Sequence, residues 1–325
     1  MMNKINFRCL FLLTWFAALS TKAQVSSENY ILTTERISDT QVLSTTVYYD
    51  GLGRPFEMVE QKKTPDGANL IHLQEYDGLG RDWKTWLPVK GTDDFLSISA
   101  AHSQGNNQYR DSHAFSLTEY DGSPLNRINT VEGVGAEWTS HPVKKDNLVN
   151  TSKYPLNCKY YRVSMQGQLQ DKGYYPEGRL YVTKTTDENG NESYEFKNIA
   201  GNVILKRTIC SIDEAADTYY IYDYRGNLAF VLPPNYQEEP SLDLYAYQYK
   251  YDGQGNCTWK KLPGCEPIYM KYDLSGRMIF LQDGNLRKKG LWEFYVYDKL
   301  GRLAVQGTTA STSDVSKIHV YALYT

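Results

Sequence analysis

Six aspartates recur in one setting, each with a Tyr before it and a Gly three residues after it: Asp50, Asp77, Asp223, Asp252, Asp273 and Asp298. A recurring carboxylate could act as a general acid or base, but that work needs a second group placed beside it in a cleft. None follows. After each Gly stands Arg54, Arg81, Asn227, Asn256, Arg277 or Arg302, and a site that reads charge would not alternate a cation with an amide. The five His (His72, His102, His113, His141, His319) lie far apart, and none sits in a zinc spacing such as His-Glu-x-x-His. There is no Gly-x-Ser-x-Gly elbow and no phosphate loop, and Gly133-Val134-Gly135 lacks the third Gly of a dinucleotide site. The sequence therefore supports no enzyme, cofactor or metal.

A structural task accounts for the same residues. At position i of a type I turn a carboxylate accepts backbone N–H bonds, and three residues later a left-handed residue, best a Gly, closes a three-residue hairpin loop with a G1 bulge. The units Tyr49-Asp50-x-x-Gly53, Tyr76-Asp77-x-x-Gly80, Tyr222-Asp223-x-x-Gly226, Tyr251-Asp252-x-x-Gly255, Tyr272-Asp273-x-x-Gly276 and Tyr297-Asp298-x-x-Gly301 fit that geometry. The two residues between vary freely, which type I central positions allow. Strand-forming runs such as Arg277-Met278-Ile279-Phe280-Leu281 follow the turns. A hairpin of this size cannot bury a face alone, so the units must stack as repeats.

Tyr heads every unit, and the chain carries 28 Tyr against 10 Phe. A ring with a polar tip suits a half-buried sheet surface with one wet end. The rings are expected to stack on one another between hairpins, with the Arg or Asn after each Gly lying along a neighbouring ring. The other use of such a surface is to hold a glycan, since sugars stack on aromatic faces.

The first 23 residues are a different material. Lys4 and Arg8 precede an apolar run beginning at Cys9, and Thr21-Lys22-Ala23 ends it in the layout of a secretory signal peptide. Eleven apolar residues are too few to span a bilayer. Removing residues 1–23 takes Lys4, Arg8 and Lys22 from the chain's 35 basic residues and none of its 38 acids, a net charge of 32 − 38 = −6. The mean hydropathy is −0.55, and no basic face marks a nucleic-acid binder. Four Cys remain, Cys158, Cys210, Cys257 and Cys265, and export permits disulfides. The turn signal Lys261-Leu262-Pro263-Gly264 could bring Cys257 to Cys265; otherwise the four are small thiols.

In order, residues 25–44 read as an opening strand and loop, and 47–89 as a β-meander with a further turn at Thr64-Pro65-Asp66-Gly67. Thr92-Asp93-Asp94 is expected to cap a short helix through Phe95 to His102, ended by Gln104-Gly105-Asn106-Asn107. Tyr120-Asp121-Gly122 begins like a repeat but lacks Gly at the fourth place, and residues 128–160 give no firm pattern. Asp187-Glu188-Asn189-Gly190-Asn191 reads as a hairpin turn rather than a calcium loop, whose Gly would come sixth. Residues 196–202 read as a repeat with one extra residue before Gly201, and 318–324 as an apolar strand without a capping repeat.

The Tyr-Asp-x-x-Gly-Arg/Asn turns resemble the YD repeats of Rhs proteins. Residues 49–88 and 115–128 are similar to a domain of unknown function that precedes those repeats in some bacterial Rhs proteins, and 180–207 resembles the junction between the two. The resemblance implies an all-β fold in which antiparallel hairpin repeats stack into a spiral or partial shell after a β-rich N-terminal domain, divided here into residues 24–190 and 191–325. It also implies a hollow container that in many members holds a C-terminal toxin released by self-cleavage, while other members act at cell surfaces in carbohydrate-dependent adhesion. This chain shows neither the core signature nor a toxin tip, so it reads as an exported, non-enzymatic N-terminal piece of such a shell. Its partners would be downstream repeats or a toxin cargo on a longer or separate chain. The alternatives are a glycan-binding adhesin module and a truncated remnant.

Overall fold

A computed structural model describes residues 28–38, 42–212 and 214–310. The signal peptide expected over 1–23 and the apolar strand expected over 318–324 lie outside the described residues. The fold is all-β, every strand pair is antiparallel, and the chain divides at Pro142 and Val143 into two compact units.

In the first unit β1 (Asn29–Arg36), β2 (Val42–Tyr49), β3 (Pro55–Glu60) and β4 (Asn69–Tyr76) pair in sequence. The far edge of β4 is shared: residues 69–71 pair with β6 (Val89–Gly91), and residues 74–76 with β5 (Asp82–Trp86). Beyond β5 lie β7 (Phe115–Tyr120) and β8 (Ile128–Glu132). Burial alternates as a two-sided strand requires, so β4 buries Asn69, Ile71 and Leu73 and turns their neighbours outward. These join Tyr48, Val59, Trp86 and Phe115 in one core.

The helix of this unit, α1, runs over Ile98–Tyr109 rather than Phe95 to His102. Ser97 is its N-cap, accepting from the Ala100 N–H at 3.3 Å, and Arg110 closes it at φ 52°. Tertiary contacts override the local signal. The Asp93 and Asp94 carbonyls accept from Asn69 Nδ2 (3.0 Å) and the Tyr48 hydroxyl (2.6 Å), and Phe95 packs on Tyr48 and Phe56. Gly105 is not a terminator. It lies inside the helix against the sheet, where a Cβ would meet Trp86 and Val89 at 3.4 Å.

The second unit is a longer meander. From β9 (Val143–Val149) it passes to β12 (Tyr181–Thr186), β13 (Glu192–Lys197), β14 (Val203–Ser211), β15 (Glu214–Tyr222) and β16 (Leu228–Leu232). It continues through β17 (Tyr247–Tyr251), β18 (Cys257–Lys261), β19 (Ile268–Tyr272), β20 (Met278–Gln282), β21 (Leu291–Tyr297) and β22 (Leu303–Ala310). The short helices α2 (Pro234–Glu238) and α3 (Gly284–Lys288) lie in the connections after β16 and β20. Between β9 and β12 the chain leaves the sheet as a two-stranded ribbon, β10 (Lys159–Val163) with β11 (Leu169–Tyr174). So residues 128–160, patternless in sequence, contain β8, β9 and the start of the ribbon; β9 is mostly exposed, which removes the apolar alternation that would have marked it. Residue 190, where the sequence reading divides the chain, is in the turn between β12 and β13, inside this unit.

All four cysteines of the described residues are free. Cys257 opens β18 and Cys265 lies past its other end, about 13 Å away by strand rise and beyond disulfide reach.

Candidate functional site

Each repeated Asp is saturated by its own turn. Asp50 Oδ1 accepts from the N–H groups of Leu52 and Arg54 at 2.9 Å, and its Oδ2 accepts from Arg54 Nε at 2.8 Å. Asp77, Asp273 and Asp298 are bonded in the same way to Arg81, Arg277 and Arg302. At Asp223 and Asp252 the side-chain donor is Asn227 Nδ2 (3.1 Å) or Asn256 Nδ2 (3.0 Å). What the position needs is an N–H aimed at Oδ2, and both residue types supply one. The N–H of Gly53, Gly80, Gly226, Gly255, Gly276 and Gly301 bonds back to the carbonyl of its own Asp, and these glycines have φ between 75° and 88°. The backbone N–H of Arg54, Arg81 and Arg302 is the main cause that holds Asp50, Asp77 and Asp298 below the usual carboxylate range, with the guanidinium of the same Arg adding to it.

The same turn recurs under other residues. Thr64, Ser164, Asp187 and Asn198 each bond from their N–H to the carbonyl four residues on and accept from the Gly three residues on. Residues 196–202 therefore have no extra residue: Lys197-Asn198 take the place of Tyr-Asp, and Asn198 Oδ1 accepts from Ala200 and Asn202 as an Asp would. After Asp121 the loop is longer, closing from the Asp121 N–H to the Arg127 carbonyl with Asn126 at φ 53° in the left-handed place.

The Tyr of each unit reaches back to the hairpin before it. The hydroxyls of Tyr76, Tyr222, Tyr251 and Tyr297 donate to the carbonyls of Pro55, Val203, Leu228 and Met278, at 2.7, 3.1, 2.9 and 2.9 Å. Each acceptor directly follows the Arg or Asn of the preceding turn. Where that residue is Arg its guanidinium covers the ring, Arg54 over Tyr76 at 4.4 Å and Arg277 over Tyr297 at 5.0 Å. Tyr120 takes the same place against Arg81 and the Asp82 carbonyl. The rings thus do not stack on one another as the sequence reading expects, because the sheet spaces them two strands apart and the Arg fills the gap. Tyr49 has no such hydroxyl bond, and Tyr272 turns its hydroxyl to Met270 Sδ at 3.7 Å.

The sequence gives no sign of Arg207. It is 5% exposed, pairs bidentately with Asp217 (2.7 and 2.6 Å), and donates from Nη1 to the Pro155 and Asn157 carbonyls. It pins the root of the β10–β11 ribbon beside Cys158, whose thiol burial pushes up to about 12. Between the ribbon and strands β14 and β15, with the turns that follow β13 and β15, lies a half-open cleft of about 330 Å³. Tyr160, Tyr161, Tyr175, Tyr219, Tyr220 and Tyr222 line it, with Lys159, Arg162, Asn198 and Asn202 at its polar parts. Burial raises the Tyr161 and Tyr175 hydroxyls, so they are neutral hydrogen-bonding groups at physiological pH. The cleft offers aromatic faces and hydrogen bonds and has no nucleophile beside a base. The His side chains are dispersed: His72 faces Glu60, His102 Glu75 and His113 Glu132, while His319 lies outside the described residues. Among the described residues no three His, Cys, Asp or Glu side chains are placed to hold a metal ion.

Residues 20–151 match the family model described as "Domain of unknown function (DUF6443)". No curated protein matches the sequence. Among solved structures the chain is similar to the crystal structure of TcdB2-TccC3 without its hypervariable C-terminal region, with a TM-score of 0.58, 16% identity and 93% of this chain covered. It is similar also to TcdB2-TccC3-TEV (TM-score 0.56, 15% identity, 94% of this chain) and to TcdB2-TccC3-Cdc42 (0.56, 16%, 88%). At this identity the likeness is one of fold. The chain spans 14–15% of the length of those chains.

Proposed function

We propose that this chain is a non-enzymatic wall segment of an exported YD-repeat shell of the Rhs type, one that encloses or presents a cargo held on a longer or separate polypeptide. The observation that carries it is the one-way fit between hairpins: the hydroxyls of Tyr76, Tyr222, Tyr251 and Tyr297 each take a carbonyl of the hairpin before, and where that hairpin's turn ends in Arg, as before Tyr76 and Tyr297, the cation covers the ring. At the last described hairpin Arg302 is bonded to Asp298 as Arg277 is to Asp273. The likeness of fold to a seventh or so of the TcdB2-TccC3 chains supports a segment that works within a larger array. Export through residues 1–23 belongs to the same reading.

Appending two YD hairpins in frame after Thr325 is expected to raise the melting temperature and to reduce self-association of the chain. A parent chain that is already monodisperse, with a melting temperature unmoved by the added hairpins, would overturn the reading.

The tyrosine-lined cleft favours a second use, as a weak glycan site on the outside of such a wall. Saturable binding on a glycan array that falls when Tyr160 and Tyr220 are changed to Ala would support it, and an array without signal would remove it.

A further inference from the structure

Where a turn of the sheet opens on Asp and carries Arg or Asn four residues on, the second side chain donates back to Asp Oδ2, as Arg54, Asn191, Asn227 and Arg302 do. Among the described residues the turn after β13 departs from this. It opens on Asn198, whose Oδ1 accepts from the N–H groups of Ala200 and Asn202 at 3.0 Å. The other atom of that amide is an NH2, a donor where the Asp turns have an acceptor, so the Asn202 side chain has nothing there to donate to. Asn198 and Asn202 both line the tyrosine cleft, half-buried, and among the described residues Asn198 Nδ2 has no partner. The rest of the wall agrees. Tyr160 packs its ring on Tyr175 at 4.4 Å, and Arg162 is near enough for its charge to act on the Tyr175 hydroxyl. Neither Arg162 nor Lys159 is ion-paired among the described residues. The carboxylate in the wall, Asp223, is held by its own turn, accepting from the Arg225 and Asn227 N–H groups at 2.8 and 2.9 Å and from Asn227 Nδ2 at 3.1 Å. Asp171, whose charge reaches Tyr161, stands outside the wall and accepts from the Gly173 N–H at 2.8 Å. In a chain of formal charge −3, the cleft thus sets aromatic faces among donors and cations.

We propose that this cleft takes an acidic glycan, a sugar chain bearing carboxylates, with a sugar ring on the Tyr160–Tyr175 pair and its carboxylate met by Arg162, Lys159 and the Asn198 amide. This rests on the glycan use of the cleft and narrows it to one class. A neutral sugar brings hydroxyls that donate as readily as they accept, whereas this wall supplies donors and cations while its carboxylate is already taken. Guanidinium, ammonium and amide N–H groups make charge-assisted bonds to a carboxylate, stronger than those to a hydroxyl. The volume, about 330 Å³, lies at the small end of ligand sites, and the open mouth lets a chain run on past the bound unit. An acidic peptide commonly secures its backbone by adding to a sheet edge, and β14 and β15 are paired along both edges. A sugar ring needs no such edge. The Tyr pair is also held in advance, since Arg207 fixes the root of the ribbon through the Pro155 and Asn157 carbonyls, which limits the ordering cost of binding.

The test is calorimetric titration of the full chain with tetragalacturonate, with its methyl ester, in which the same rings carry no charge, and with an oligoglutamate of equal charge. Tetragalacturonate is expected to bind about tenfold or more tighter than either, with an affinity that falls as salt rises. Arg162→Gln should weaken that binding by about tenfold and leave the ester's unchanged. Asn198→Asp should weaken it at least as much, because it sets a negative charge in the wall. It should also keep the fold, since it restores the Asp–Asn pairing of the Asp187 and Asp223 turns, and a melting temperature no lower than wild type checks this. Equal binding of acid and ester would overturn the acidic class and leave the glycan use standing, whereas a wild type that binds neither would remove both. Oligoglutamate held as tightly as tetragalacturonate, or tetragalacturonate binding undiminished by Asn198→Asp, would also overturn the proposal.

Discussion

Tyr differs from Phe by one hydroxyl, and in this sheet that hydroxyl has an address. Tyr251 spends it on the Leu228 carbonyl at 2.9 Å, part-buried, whereas Tyr272 meets only a thioether at 3.7 Å. Tyr251→Phe should therefore cost about 1 kcal/mol of stability, the net worth of one such bond, while Tyr272→Phe should fall within about 0.5 kcal/mol of wild type. Urea denaturation of both variants decides it, and equal costs would show that the hydroxyl bonds are not what fixes the Tyr. Much of this scale was legible beforehand. The Asp, the Gly and the freedom between them belong to a turn of five residues, whose chemistry is local and repeats. The disguised copies at Thr64 and Ser164 are not legible as copies, because a hydroxyl can accept the same N–H bonds and the motif hides behind a change of side chain; residues 196–202 do read as a repeat, but with one residue too many, since the amide of Asn198 stands in the Asp place.

At the scale of elements, three neighbouring strands hold one strap. Tyr48 on β2, Glu57 on β3 and Asn69 on β4 bond to the backbone of Asp94, Leu96 and Asp93, and so seat the segment that leads into α1. Glu57 is 2% exposed; one of its oxygens accepts from the Leu96 N–H at 3.0 Å and the other has no partner. Burial pushes its carboxyl up to about 7. A group whose folded value is raised is protonated more readily in the folded chain, so its contribution favours folding most below its ordinary value near 4.5 and declines as pH climbs to about 7. Glu57→Gln should flatten that decline and stabilise the first unit at pH 8 by about 2–3 kcal/mol. Melting temperatures at pH 5 and pH 8 test it; an unchanged pH dependence in the variant would mean that Glu57 is not its source. No such strap could be read from the sequence. Its partners lie 24 to 46 residues apart, and the Asp pair that looks like a helix cap is committed to the sheet instead. Arg207 and Asp217 escaped notice for the same reason, since a buried ion pair looks in sequence like two surface charges.

Over the whole described chain, burial is uneven. In the second unit Val182, Phe196, Leu205, Ile221 and Leu232 are almost wholly buried on β12 to β16 beneath the ribbon, while Met270, Ile279 and Trp292 are the buried apolar residues of β17 to β22, and every residue of β22 but Gly307 is exposed. Local opening free energy follows buried apolar contact. Amide hydrogen exchange should accordingly show protection greatest over residues 181–232 and falling hairpin by hairpin toward 310, and uniform protection across the unit would contradict this. The seat that each hairpin offers its successor also bears on how such a chain could have grown. A unit with a ring on one side and the matching carbonyl and cation on the other can be copied in tandem, and every copy fits its parent without a compensating change elsewhere. Lengthening by duplication is then close to neutral, and the number of hairpins becomes a quantity that descent can vary while each junction stays the same.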